Sequence, residues 1–130
     1  MTEKDGRGSV GQDRIFDMVK KIYPKYTILW EQPIKSINAR FDIFVKELGL
    51  AFEIDGVQHE EFNMFFHKDL YALRRGKLKD MNKDSFCYEN GIKMIRLNYK
   101  DALSITLDSL KERIENTEYP DGVFTFSCLS

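Results

Sequence analysis

The segment RFDIFVKELGLAFEIDGVQH, residues 40–59, decides the fold. Side chains on a strand alternate between its two faces, and this stretch alternates twice. Over Arg40–Lys46, Phe41, Ile43 and Val45 are set to one side, and Asp42 and Phe44 to the other. Over Leu50–Val57, Leu50, Phe52 and Ile54 share one side, and Ala51, Glu53 and Asp55 the other. The link Glu47–Gly49 is short enough for a hairpin. A tight turn centred between Glu47 and Leu48 sets Phe41 opposite Ile54, Asp42 opposite Glu53, Ile43 opposite Phe52 and Val45 opposite Leu50. The six apolar side chains then share one face and the three carboxylates the other. A slip of one residue would separate the acids.

Such a cluster is costly unless something answers it. Directly opposed residues lie about 4.5–5.5 Å apart at Cβ, where like charges repel. Clustered carboxylates raise one another's pKa or recruit a cation, and oxygen ligands at this density suit a hard divalent ion such as Mg²⁺. The alternative is a wet outer face on which the acids are simply solvated. Phe44 and Ala51 on the same face argue against that alternative, and Gly56 permits close approach at the strand's exit.

Outward from the hairpin, the pattern predicts a helix near 12–23, from Ile15, Phe16, Met18, Val19, Ile22 and Tyr23, stopped by Pro24. Tyr26–Gln32 reads as a strand that Pro33 weakens. Residues 58–76 lack a clean period and read as a loop or short helix. A helix over 77–89 ends at Asn90-Gly91, followed by a strand over Ile92–Leu97. Leu103, Leu107, Leu110 and Ile114 mark another helix, and Val123–Cys128 a last strand. Residues 1–11 hold three glycines and read as a flexible N-terminus, with 12–130 a single domain. The order of elements predicts an α/β fold on a mixed sheet.

At 130 residues, with 42% apolar and 32% charged, the chain suits one globular domain. It has no run of about 18 apolar residues to span a membrane, and Met1–Ser9 lacks the apolar core of a secretory signal. Cys87 and Cys128 are too few for a disulfide scaffold and are expected to be reduced thiols. No CxxC or HxxxH spacing supports zinc. The net charge of −1 hides blocks of +2 over 1–39, −4 over 40–61, +5 over 62–100 and −4 over 101–130. An acidic block beside a basic one suits a metal site next to a phosphate-binding surface; ordinary solvated charge is the alternative.

An Asp on one strand, about ten residues, then Glu-x-(Lys or a substitute) on the next resembles the motif of the PD-(D/E)XK nuclease superfamily. Residues 39–59, ARFDIFVKELGLAFEIDGVQH, resemble the RFD…EIDGxQH segment of small phage and bacterial members near the very short patch repair endonucleases and related homing nucleases. Residues 80–99, DMNKDSFCYENGIKMIRLNY, resemble their Asp-x-x-Lys helix and following Gly-Ile-Lys-x-x-Arg-Ile strand. The likeness covers about residues 12–100.

The resemblance implies a restriction-endonuclease-like αβββαβ core, with a central mixed sheet flanked by helices. It implies Mg²⁺-dependent hydrolysis of DNA phosphodiesters, with Mn²⁺ able to substitute, in the cytoplasm of a bacterium or phage-infected cell. Asp42 and Glu53 would bind the metal with the carbonyl of Ile54; the ion would polarise the phosphate and activate a water. The family usually has Lys two residues after the Glu, where this chain has Asp55. Asp55 is then a metal ligand or the base for water, and Lys83, with Asp80 one turn before it, a migrated lysine. Gln58 would orient water or phosphate. His59 would act as an acid or proton shuttle, or else simply hydrogen-bond at the strand end. Relatives often supply a further acid from the first helix, where Gln12, Asp13 and Asp17 are polar.

Arg74, Arg75, Lys77, Lys79 and Lys83 form the densest basic run, and read as phosphate contacts or as a solvated helix face. Arg96 either pairs with an acid or touches phosphate. The expected partner is DNA, with a second copy or another protein needed to cut both strands. The alternatives are a nuclease-fold module that binds nucleic acid without cleaving it, and a phage-encoded protein-interaction or inhibitor module.

Overall fold

The hairpin of β2 (Ala39–Val45) and β3 (Leu50–Asp55) forms with Ile43 opposite Phe52, Phe44 opposite Ala51 and Val45 opposite Leu50, as the alternation leads one to expect, but the ladder stops there and the expected pairs Asp42–Glu53 and Phe41–Ile54 are not part of it. The turn closes through Gly49, whose φ of +61° favours glycine, where a Cβ would lie 2.6 Å from the Phe124 ring, and whose N–H donates to the Val45 carbonyl at 3.1 Å. The computed structural model describes residues 10–55 and 81–130.

Among the described residues, four strands form one mixed sheet in the order β1-β2-β3-β4. β1 (Ile28–Ile34) runs antiparallel to β2, and β4 (Lys93–Asn98) runs parallel to β3, with Glu53 opposite Arg96. β1 starts later than expected and continues through Pro33, which pairs with Arg40. Proline is tolerated there because, among the described residues, β1 lies at the end of the strand order, an edge where only alternate N–H groups face a neighbouring strand.

α1 (Val10–Ile22) packs Ile15, Phe16 and Val19 against one sheet face, and the Phe16 ring meets Trp30 edge-on at 5.2 Å. Val10 and Gly11, expected in a flexible tail, belong to this helix, and Gly11 is buried against Ala102. The helix expected across Leu103–Ile114 is two: α3 (Tyr99–Ser104) and α4 (Leu107–Asn116). Each has its own cap, Asn98 accepting from the Asp101 N–H and Thr106 from the Ser109 N–H, so the chain restarts at Thr106. Leu110 and Ile114 join the α1 side of the core, while Leu103 is exposed.

On the other face, a helix over 81–89 (α2) lays Phe86 and Cys87 beside Leu29, Phe44, Ala51 and Ile92. It ends as expected at Asn90-Gly91: Gly91 has φ +67°, and the Ile92 N–H reaches back to the Cys87 carbonyl at 2.9 Å. Its expected beginning at 77 lies outside the described residues. Val123–Cys128 is not a strand. Phe124 and Phe126 both drop their rings onto Phe44, at 5.7 and 6.2 Å, and a 3₁₀ turn over Phe126–Leu129 buries Leu129. Alternating aromatics read as a strand, but here they cap an existing sheet face.

One break in alternation bears on the site. Phe41 was expected beside Ile43; instead it stacks on Phe44 at 5.3 Å in the second cluster, as Ile34 joins Leu29 there rather than Trp30. Both strands change face between the pairs Trp30–Ile43 and Gln32–Phe41. Glu31, at φ +52°, is the cause: a left-handed residue inside a strand rotates the residues beyond it. Cys87 and Cys128 are free thiols, and burial pushes Cys87 up to about 12. Among the described residues no helix is long and apolar enough to cross a membrane.

Candidate active site: a buried carboxylate pair with a lysine

Next to the break, Asp42 and Glu53 replace ladder bonds with side chains. The Asp42 N–H donates to Glu53 Oε2 at 2.8 Å, and the Ile54 N–H donates to Asp42 Oδ2 at 2.8 Å. Each carboxylate is thus pinned to the opposite strand's backbone, which holds the two acids together. Glu53 is 5% exposed, a burial unusual for an unprotected acid. Lys83 answers it from α2, with Nζ at 2.5 Å from Glu53 Oε1.

The electrostatics reflect this geometry. Burial and then the charge of Glu53 push the Asp42 carboxyl up to about 7, against the pull of the Ile54 N–H and Lys83, with Glu31 adding to the rise. Burial also raises Glu53, opposed by Lys83, by the Asp42 N–H and by Arg96. The pair therefore holds a proton toward neutral pH, or takes a cation in its place.

The expected site residues divide by place. Asp42, Glu53 and Lys83 meet. Asp55 turns to Arg96, whose Nη1 lies 3.7 Å from Asp55 Oδ1 and whose Nη2 lies 2.9 Å from Asp84 Oδ1 on α2. Among the described residues no group of three His, Cys, Asp or Glu side chains is arranged to hold a metal ion. The expected gathering of Asp42, Glu53 and Asp55 around one ion thus reduces to the first two. Gln58, His59, Arg74, Arg75, Lys77 and Lys79 lie outside the described residues, as does Asp80.

Two further neighbours join the site, Gln12, named above only among the polar residues of the first helix, and Glu31, which was missed. Gln12 of α1 donates from Nε2 to the Asp42 carbonyl at 3.3 Å and to Glu31 Oε2 at 3.5 Å. A signal existed: Gln12 stands on the apolar stripe of Ile15, Phe16 and Val19, where a polar residue needs a partner. Glu31, which also meets Arg40 Nη1 at 3.4 Å, carried none, since its left-handed backbone is not written in its residue type. The first helix does reach the site, but with an amide.

The chain is 32% identical over 114 residues to uncharacterized protein 033L of Invertebrate iridescent virus 3, a match covering 86% of this chain and 59% of that protein. It is 31% identical over 78 residues to uncharacterized protein 307L of Invertebrate iridescent virus 6, covering 58% of this chain and 40% of that protein. The matches thus span less than two thirds of either relative's length. No protein-family model and no solved structure matches.

Proposed function

We propose that the chain is a metal-dependent endonuclease of the restriction-endonuclease-like class, cleaving DNA phosphodiesters at Asp42 and Glu53. The observation that carries this reading is the reciprocal lock between the acids, with Lys83 closing on Glu53 from the next helix. The order α1-β1-β2-β3-α2-β4 among the described residues supports it, since it agrees with the αβββαβ core.

The donor set fits a hard divalent cation: two carboxylates that repel each other, one already short of its usual acidity. Asp42 and Glu53 would hold the ion with the Ile54 carbonyl, and bound there it supplies Lewis acidity to the scissile phosphate and to an attacking water. The chain's own residues do the rest. Lys83 provides the cation that the Asp55 position lacks and offsets Glu53 until substrate arrives. Gln12 holds the Asp42 carbonyl and so the strand position from which the carboxylate projects.

The test incubates the full chain with supercoiled plasmid and branched DNA, with Mg²⁺ or Mn²⁺ and with EDTA. Nicking that needs the ion and disappears in Glu53→Ala is the expected result. Binding without nicking would leave a nuclease-fold binding module. Neither would point to a protein-interaction module.

A further inference from the structure

We propose that Arg96 is a positioning residue of this site, a brace held between Asp55 and Asp84 that keeps α2, and with it Lys83, seated on Glu53. The inference rests on the nuclease reading for its kinetic consequence, but the brace itself can be tested without it.

Arg96 stands opposite Glu53 in the parallel β3–β4 register. Directly opposed residues share a sheet face, so its guanidinium leaves the sheet on the side where the acids lie. It meets β3 through Asp55 at 3.7 Å and α2 through Asp84 at 2.9 Å. Lys83 precedes Asp84, so the ion pairs Lys83–Glu53 and Asp84–Arg96, which join α2 to the sheet beside the apolar packing of Phe86 and Cys87, arise from consecutive residues. One fixes the ammonium on the acid; the other fixes the turn that carries it. A guanidinium holds its donors in a rigid planar fork that spans two carboxylates in a fixed direction, whereas an ammonium is a compact point charge on a flexible stem. Asp55 thereby acquires a role in place of the missing lysine: it anchors the arginine that keeps the migrated lysine in register. This differs from Asp55 as a metal ligand, and from Arg96 as a phosphate contact.

The experiment compares Arg96→Gln, Arg96→Lys, Asp55→Asn and Asp84→Asn in the full chain. Asp84 is 59% exposed at its side chain, so that variant keeps the fold even where Arg96→Gln does not. The first readout is amide hydrogen exchange over 81–89. Protection lost in Asp84→Asn and both Arg96 variants is expected; unchanged protection overturns the proposal. The second is nicking kinetics. The brace predicts kcat lowered about 10- to 100-fold, KM and half-saturating Mg²⁺ little changed, and an Asp55→Asn/Arg96→Gln double variant no worse than the worse single one. Additive losses, or an Asp55→Asn enzyme that needs far more Mg²⁺, would make Asp55 a ligand and overturn the proposal. So would a fall of about one in the salt slope of DNA binding in Arg96→Gln at unchanged kcat, the mark of a phosphate contact. If the wild-type chain nicks nothing, the nuclease reading fails, and hydrogen exchange alone decides the brace.

Discussion

Asp42→Asn should make the protein more stable at alkaline pH, although it removes a residue from the proposed site. The Asp42 carboxyl is displaced from 3.8 to about 7, chiefly by burial and by Glu53. Each pH unit corresponds to about 1.4 kcal/mol, so the ionised pair works against the fold by up to about 4 kcal/mol. The sign is set by proton binding. Well below pH 3.8 folded and unfolded chains both carry this proton, and the stability of the protonated pair is fully present. Between 3.8 and about 7 the folded chain keeps a proton that the unfolded chain has lost, so the stability it confers fades as pH rises and is gone above 7. Asparagine has no charge to desolvate, and its Oδ1 still accepts from the Ile54 N–H. Denaturant unfolding of both proteins from pH 4 to 8.5 should give curves that start together and part by several kcal/mol, or about 10–15 °C in Tm at about 4 °C per kcal/mol. Mg²⁺ should return part of that difference to the wild type at pH 8.5, about 2.7 kcal/mol at a hundredfold excess over Kd, and none to Asp42→Asn. Curves that stay parallel across this range, or an asparagine variant weaker at every pH, would refute the electrostatic account of the pair.

Four further outcomes are expected. Lys83→Met leaves Glu53 buried without its cation and should cost about 3–5 kcal/mol in chemical denaturation, with nicking slowed strongly; an unchanged rate would remove Lys83 from the site. Glu31→Gly relieves a left-handed residue inside β1 and should stabilise the fold by about 1 kcal/mol in urea unfolding. Gly49→Ala should destabilise by more than about 1 kcal/mol, because at φ +61° its Cβ would sit 2.6 Å from the Phe124 ring; near-UV circular dichroism should register the displaced aromatic. Cys87, buried and pushed up to about 12, should resist iodoacetamide at pH 8 in the folded protein, as mass spectrometry of the alkylated peptide would report.

Much of the hairpin was legible because two independent signals agree on it. Apolar alternation over Phe41–Val45 and Leu50–Ile54 specifies faces, and a link as short as Glu47–Gly49 specifies register. The reversal at Phe41 was not legible. It depends on Glu31 occupying a backbone region that glycine or asparagine would announce and glutamate does not. The C-terminal aromatics misled for a related reason: alternation reports a buried row, not whether that row pairs with a strand or lies across one. Within the site, the alternation sets Asp42 and Glu53 near each other, although side chain-to-backbone hydrogen bonds rather than the ladder join them, whereas the site role of Lys83 entered only through resemblance to a nuclease helix. The partners of Arg96 required the parallel β3–β4 register, and a crossover connection leaves no local trace in sequence.

On the proposed reading, Asp42 and Glu53 together hold a divalent cation. Crystals of the full chain soaked in Mn²⁺ at pH 8, measured for anomalous scattering, test this most directly. One peak between the two carboxylates, lost in Glu53→Gln, is the expected result. A fully ordered pair with no peak between its oxygens, or Mn²⁺ bound only elsewhere on the chain, would contradict it.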